Sequence, residues 1–161
     1  MSRVFCSTYK KYAEGSLKGA WLDLEDYACK QDFYEACAEL HKDESDPEIM
    51  FQDHEDIPSM FITECSIDEE FWGYMDCRLD DDVKKAYIEA CDVWDAEGCE
   101  ASYIGRFRDD AEMVENVADE TGLLDEIPEN LRYYFDYEAY GRDIRLGGDV
   151  REYGGYYFWR H

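Results

Sequence analysis

Ser66–Gly98 reads SIDEEFWGYMDCRLDDDVKKAYIEACDVWDAEG. Ser66-x-x-Glu69 has the form of a capping box and predicts a helix through about Arg78. Asp80 can cap the next helix, in which Val83, Ala86, Tyr87, Ala90 and Trp94 fall at i, i+3, i+4, i+7 and i+11. Gly98 is the expected C-terminal stop. Apolar residues at helical spacing fix an inward stripe, so the acids between them belong outside. Asp68, Glu69, Glu70, Asp76, Asp80, Asp81, Asp82, Glu89, Asp92 and Asp95 are therefore expected on the outer faces. A disordered acidic tail would lack the apolar threading.

The surrounding stretch 41–100 holds twenty Asp/Glu against four Lys/Arg, a net of −16, within a chain of net −25. Helix-dipole complementarity accounts for some acids at N-terminal turns but not for all. Solubility of a small domain needs a net charge of only about 2–8. The excess points to a cationic partner, or to adaptation to high salt. At about 1.7 Å of duplex axis per phosphate charge, 25 charges correspond to about 42 Å of DNA. A compact chain of 161 residues is about 40 Å across. The protein thus matches duplex DNA in charge per length, and nucleic acid is excluded as its partner.

Working outward toward the N-terminus, Arg3–Tyr9 alternates as a strand, Lys10–Gly15 turns, and Gly19–Leu24 supplies a second strand. Asp32-x-x-Glu35 reads as a capping box, with Phe33, Ala36, Cys37 and Leu40 on one stripe. Pro47 ends that unit and Ile49–Gln52 returns as a third strand. On the other side, Cys99–Phe107 alternates as a strand. Asp109–Thr121 is an amphipathic helix with Met113, Val114, Val117 and Ala118 inward and Gly122 at its end. Its acids Asp109, Asp110, Glu112, Glu115 and Asp119 extend the acidic set. Pro128 opens a short helix through Tyr134, and Asp136 caps another carrying Tyr137, Tyr140 and Ile144. Gly147-Gly148 breaks it, and Gly154-Gly155 joins Asp149–Tyr153 to Tyr156–Trp159 as a hairpin.

The expected fold class is α+β, in three small lobes. These are an N-terminal α/β lobe over 1–62, an acidic helical middle lobe over 63–98 and a C-terminal α/β lobe over 99–161 with a terminal hairpin. Seven Cys without C-x-x-C spacing read as reduced, mostly buried thiols of a cytoplasmic protein, with Cys29 and Cys37 at helix-face spacing. No signal peptide and no apolar run of membrane-spanning length is present.

The inventory for chemistry is empty, with no catalytic residue, metal site or cofactor expected. Carboxylate pairs such as Glu69/Glu70 and Asp109/Asp110 read as solvated faces. Setting Gly98 at the glycine of a calcium loop puts Val93 and Ile104 at ligand positions, so that loop fails. Asp82-Val83-Lys84 resembles the end of a nuclease motif, but a chain of this charge repels nucleic acid. His41, His54 and His161 share no metal-ligand spacing. Five rings in eight residues (Tyr133, Tyr134, Phe135, Tyr137, Tyr140) exceed what one helix face buries. The surplus is expected to form a patch suited to self-association.

Leu123–Leu131 (LLDEIPENL) followed by Tyr133–Tyr140 (YYFDYEAY) resembles the antirestriction block of ArdA proteins. Tyr9–Tyr12, Glu14–Leu17 and Gly19–Leu24 resemble that family's opening, and Asp46–Asp53 (DPEIMFQD) a later segment, in the family's order. The resemblance implies an elongated, three-lobed acidic homodimer without enzymatic activity. It would imitate bent duplex DNA and occupy the DNA-binding groove of type I restriction–modification enzymes, on the methyltransferase core. The middle-lobe acids would stand in for phosphates. Leu123, Leu124, Glu126, Pro128, Tyr133, Tyr134, Asp136, Tyr137 and Tyr140 would belong to the block near the dimer contact. Arg142, Arg145, Arg151 and Arg160 depart from a uniformly acidic surface and are expected to pair with nearby acids. The rival reading is an acidic chaperone or partner of a basic DNA-binding protein. A metal-dependent hydrolase is a third.

Overall fold

Strand β1 (Arg3–Thr8) forms the centre of the first of two antiparallel three-stranded sheets in the computed structural model, which describes residues 1–160. The chain divides into two compact units, Met1–Cys77 and a second that begins at Arg78. Both the helices and the two sheets follow the α+β expectation.

In the first unit β1 pairs with β2 (Ala20–Asp23) on one side and β3 (Ile49–Glu55) on the other. The β-branched and aromatic residues of β1 suit the central position. A register shift between Phe5 and Cys6 lets Cys6 face Phe51. The expected turn after β1 contains a short helix, α1 (Tyr9–Ala13), because Thr8 caps it by accepting the Lys11 N–H. Helix α2 (Lys30–Leu40) begins before the Asp32 box: Cys29 is its N-cap and Asp32 lies inside the first turn. Phe33 and Cys37 are its buried residues, and the Phe33 ring meets Tyr27, Phe51 and Trp72 at 5.6, 5.8 and 6.0 Å. Helix α3 (Glu70–Asp76) starts later than the Ser66 box predicts. Ile67, next to Ser66, is drawn into a β-bridge with Ile62, and Asp68 accepts the Glu70 N–H at 2.9 Å instead. Phe71 and Tyr74 of α3 pack on Phe61.

The second unit opens with α4 (Asp81–Cys91), whose Val83, Ala86 and Tyr87 are buried as the spacing predicts. Asp92, at φ 59°, ends it in the left-handed conformation. Gly98 is not a stop but lies within α5 (Ala96–Ser102), which occupies half of the segment expected as a strand. A Cβ at Gly98 would meet Asp95 Oδ2 at 2.7 Å and Tyr87 Oη at 2.9 Å, so a larger residue there would have to displace those two side-chain ends. Only β4 (Tyr103–Arg106) remains of that strand. Then follow α6 (Asp110–Thr121), α7 (Glu129–Arg132), α8 (Tyr137–Leu146), β5 (Val150–Tyr153) and β6 (Tyr156–Trp159), in a sheet ordered β4-β6-β5. Gly154 and Gly155 both take positive φ (60° and 91°), as a tight hairpin of primed type needs.

The expected middle lobe is shared between the units, α3 on one side of the boundary and α4 and α5 on the other. In the second unit the sheet is covered on both faces. Phe158 of the central strand packs with Val83, Ala86, Tyr87 and Cys99, while its neighbour Tyr157 packs with Met113, Val114, Val117 and Val150. Successive strand residues point to opposite faces. One strand therefore anchors α4 and α5 on one side and α6 and α8 on the other.

None of the seven cysteines forms a disulfide among the described residues, and fewer are buried than expected. Cys6, Cys37 and Cys99 are buried, while Cys29 and Cys65 are exposed. Cys29 is the N-cap of α2 rather than part of its inward stripe. Among the described residues no helix is long and apolar enough to cross a membrane.

Candidate functional site

Asp68, Glu69 and Glu70 lie exposed at the head of α3 and Asp76 at its end. In the second unit Asp80, Asp81 and Asp82 crowd the start of α4, where the helix dipole favours them. Asp82 and Glu89 are seven residues apart, hence on one face of α4 and about 10 Å apart along its axis. Asp92 ends α4, and Asp95 is the N-cap of α5. All of these are exposed. Lys84 is buried and its Nζ lies 3.2 Å from Asp81 Oδ1, so one acid of this group is partly neutralised.

On α6 the acids divide by role. Asp109 caps the helix by accepting the Glu112 N–H at 2.9 Å, and Glu112 Oε2 accepts the Arg108 N–H at 2.6 Å. This reciprocal pair holds the helix start from both sides. Glu112, Glu115 and Asp119 stand at i, i+3 and i+7, a stripe about 10 Å long. Asp110 instead points inward. It accepts the Tyr157 hydroxyl at 2.7 Å and Arg145 Nε at 3.0 and 3.2 Å. Burial, and then this bond to Asp110, push the Tyr157 phenol well above its ordinary range. Asp110 likewise raises Arg145. Asp110 therefore braces the core. Of the four tail arginines only Arg145 has a carboxylate partner among the described residues: Arg151 donates to Cys91 O at 3.3 Å, and Arg142 and Arg160 form no ion pair.

The 123–140 segment is shaped by its own hydrogen bonds. Gly122 (φ 69°) ends α6, and Arg132 Nε and Nη2 donate to Ile127 O (2.9 Å) and Asp125 O (3.3 Å), clamping the connection to α7. Pro128 is the N-cap of α7, and Asp136 caps α8 by accepting the Ala139 N–H at 3.0 Å. Leu123, Phe135, Tyr137 and Tyr140 pack on the core of α6 and β6, with ring centroids 5.0 and 5.5 Å from Phe135 to Tyr137 and Tyr140. Leu124 is half-buried, and Glu126 and Pro128 are exposed. Tyr133 and Tyr134 are left outside, 89% and 77% exposed, beside an exposed Leu131. The ring surplus is thus two tyrosines, on the turn between two helices.

A cluster that sequence spacing did not reveal lies in the first unit. Lys11 Nζ sits 2.7 Å from His41 Nδ1, 2.9 Å from Asp43 Oδ1 and 3.0 Å from Glu44 Oε2. His41 Nε2 lies 3.2 Å from Cys6 O, which assigns the ring proton to Nε2 and leaves Nδ1 to accept from Lys11. His41, Asp43 and Glu44 bring together three potential metal-ligand atoms. The Lys11 ammonium already fills the place a cation would take. His41-x-Asp43-Glu44 carries no metal-ligand signature, and Lys11 is distant in sequence, so only folding joins them. His161 lies outside the described residues.

The family model described as antirestriction protein (ArdA) matches residues 4–158 of the chain. No match was found among curated proteins.

Proposed function

The chain belongs to the ArdA family of antirestriction proteins, and from that premise we propose that it acts as a mimic of duplex DNA. In this reading it enters the DNA-binding groove on the methyltransferase core of a type I restriction–modification enzyme. There it blocks both restriction and modification of incoming mobile DNA. It acts in the cytoplasm, performs no catalysis and works as a homodimer.

The observation that carries the reading is the exposure of the acids. Of the fifteen expected in the mimic surface, all but Asp110 and Glu112 are exposed, about half of them on short helices and the rest at the helix caps and flanks. Carboxylates fixed on folded elements lose little freedom on meeting a groove of Lys and Arg. Complementary charge also speeds encounter and displaces the counterions that DNA would displace. The exposed Leu131, Tyr133 and Tyr134 are the proposed dimer contact, since aromatic rings lead among residues that bury well between proteins.

Competition decides the matter. Purified protein should displace duplex DNA from a type I methyltransferase in a gel-shift assay at low salt, with weaker displacement at high salt. Retention of DNA at every protein concentration at low salt would reject the proposal.

A further inference from the structure

In the second unit a cavity of about 580 Å³ opens beside the end of α4, α5 and the β5–β6 hairpin. Tyr87, Val93, Ala101 and Trp159 give it apolar walls, and Arg151 and Arg160 line it as well. Small-molecule sites fall in this range of volume and have this composition, apolar with a few polar groups.

The two arginines are the unusual feature. In a chain with 41 acids, neither guanidinium is paired with a carboxylate among the described residues. Asp95 and Glu97 line the same cavity without bridging to either. Arg151 is half-buried and donates to one backbone carbonyl, Cys91 O. A guanidinium offers five N–H donors in a planar fork matched to carboxylate and phosphate. An indole wall offers a face for a flat ring.

We propose that this cavity binds a small anion carrying a flat ring. The phosphate or carboxylate lies against Arg151 and Arg160, and the ring lies along Trp159. Asp95 and Glu97 stand where they can accept from amino or hydroxyl groups of the same ligand. Bound there, the ligand would tie residues 91–101, which carry Asp92 and Asp95, to the hairpin. The two arginines and the two acids of the lining balance in charge, and the proposal stands independently of DNA mimicry.

The test uses the full chain titrated with two probes, adenosine monophosphate and indole-3-carboxylate, while the Trp159 indole N–H is followed by NMR. The controls are adenosine and inorganic phosphate. At least one aromatic anion should shift the Trp159 signal saturably, and at least tenfold more tightly than either control. Arg160→Gln, which removes no ion pair among the described residues, and Arg151→Gln should each weaken binding at least tenfold while keeping the circular dichroism of the parent. The inference is overturned if neither aromatic anion shifts the signal. It is equally overturned if inorganic phosphate binds as tightly as both, or if the folded Arg160→Gln protein binds unchanged.

Discussion

Lys11 Nζ donates to His41 Nδ1 at 2.7 Å, joining α1 to the residue that ends α2 through a buried contact. The same ammonium holds Asp43 and Glu44. Its hydrogen bond keeps the Asp43 carboxyl down at about 2, and the Thr8 hydroxyl together with Lys11 lowers Glu44. Burial pulls the Lys11 ammonium down, but the two carboxylates outweigh it and raise it.

The sign of the pH dependence follows. An unfolded Asp titrates near pH ~3.9. With its folded value lower, Asp43 stabilises the fold fully above that pH and loses this contribution as pH falls through about 2, and Glu44, also lowered on folding, contributes with the same sign. Lys11, raised when folded, contributes below its unfolded value and loses that contribution only in strong alkali. Lys11→Met should lower the thermal midpoint at pH 6. The gap between it and the parent should narrow between about pH 4 and pH 2. A gap constant across that range would show that the cluster is not the source of the stability.

Two helical glycines should respond oppositely to alanine. A Cβ at Gly141 of α8 would meet Asp110 O at 2.8 Å and Val114 Cγ2 at 3.0 Å, so Gly141→Ala must push α8 off α6. It should cost about 1–3 kcal/mol despite the better helix propensity of alanine. Gly73 of α3 has nothing within 4 Å, and Gly73→Ala should stabilise by up to about 1 kcal/mol. Urea unfolding of the two variants measures both.

Acids should separate into bracing and free groups. Asp110→Asn disturbs the bonds to Tyr157 and Arg145 and should destabilise by about 1–3 kcal/mol. Glu115→Gln and Asp119→Asn, both exposed, should leave stability within about 0.5 kcal/mol. If the mimic reading holds, single exposed changes weaken displacement of DNA only slightly. Neutralising five or more of Asp80, Asp81, Asp82, Glu89, Asp92 and Asp95 together should weaken it strongly.

The tyrosine turn gives a test of assembly. Tyr133→Ser with Tyr134→Ser removes two exposed rings and should leave the circular dichroism of the parent unchanged while shifting sedimentation from dimer to monomer. Tyr137→Asp should instead lower stability, because that ring packs on Phe135 and the core. An unaltered dimer in the double serine variant would place the contact elsewhere.

Much of this was legible from local pattern. Strand β1, the stripe of α4, the cap Asp136 and the Gly154-Gly155 hairpin each depend on residues close in sequence, whose spacing or turn geometry speaks for itself. Family membership was legible too, because the 123–140 block keeps its residues in order. Tertiary contacts decided the rest. Gly98 looks like the end of a helix, yet it lies inside one, with the Asp95 and Tyr87 side chains close to where a Cβ would sit. Asp110 carries the same charge as Asp109 but turns inward, since Arg145 and Tyr157 come from segments far along the chain. The Lys11 cluster and the Arg151–Arg160 cavity likewise arise from residues distant in sequence. Periodicity assigns a residue to a face, but the partner on that face, and so whether a charge is free or spent, is set only when distant segments meet.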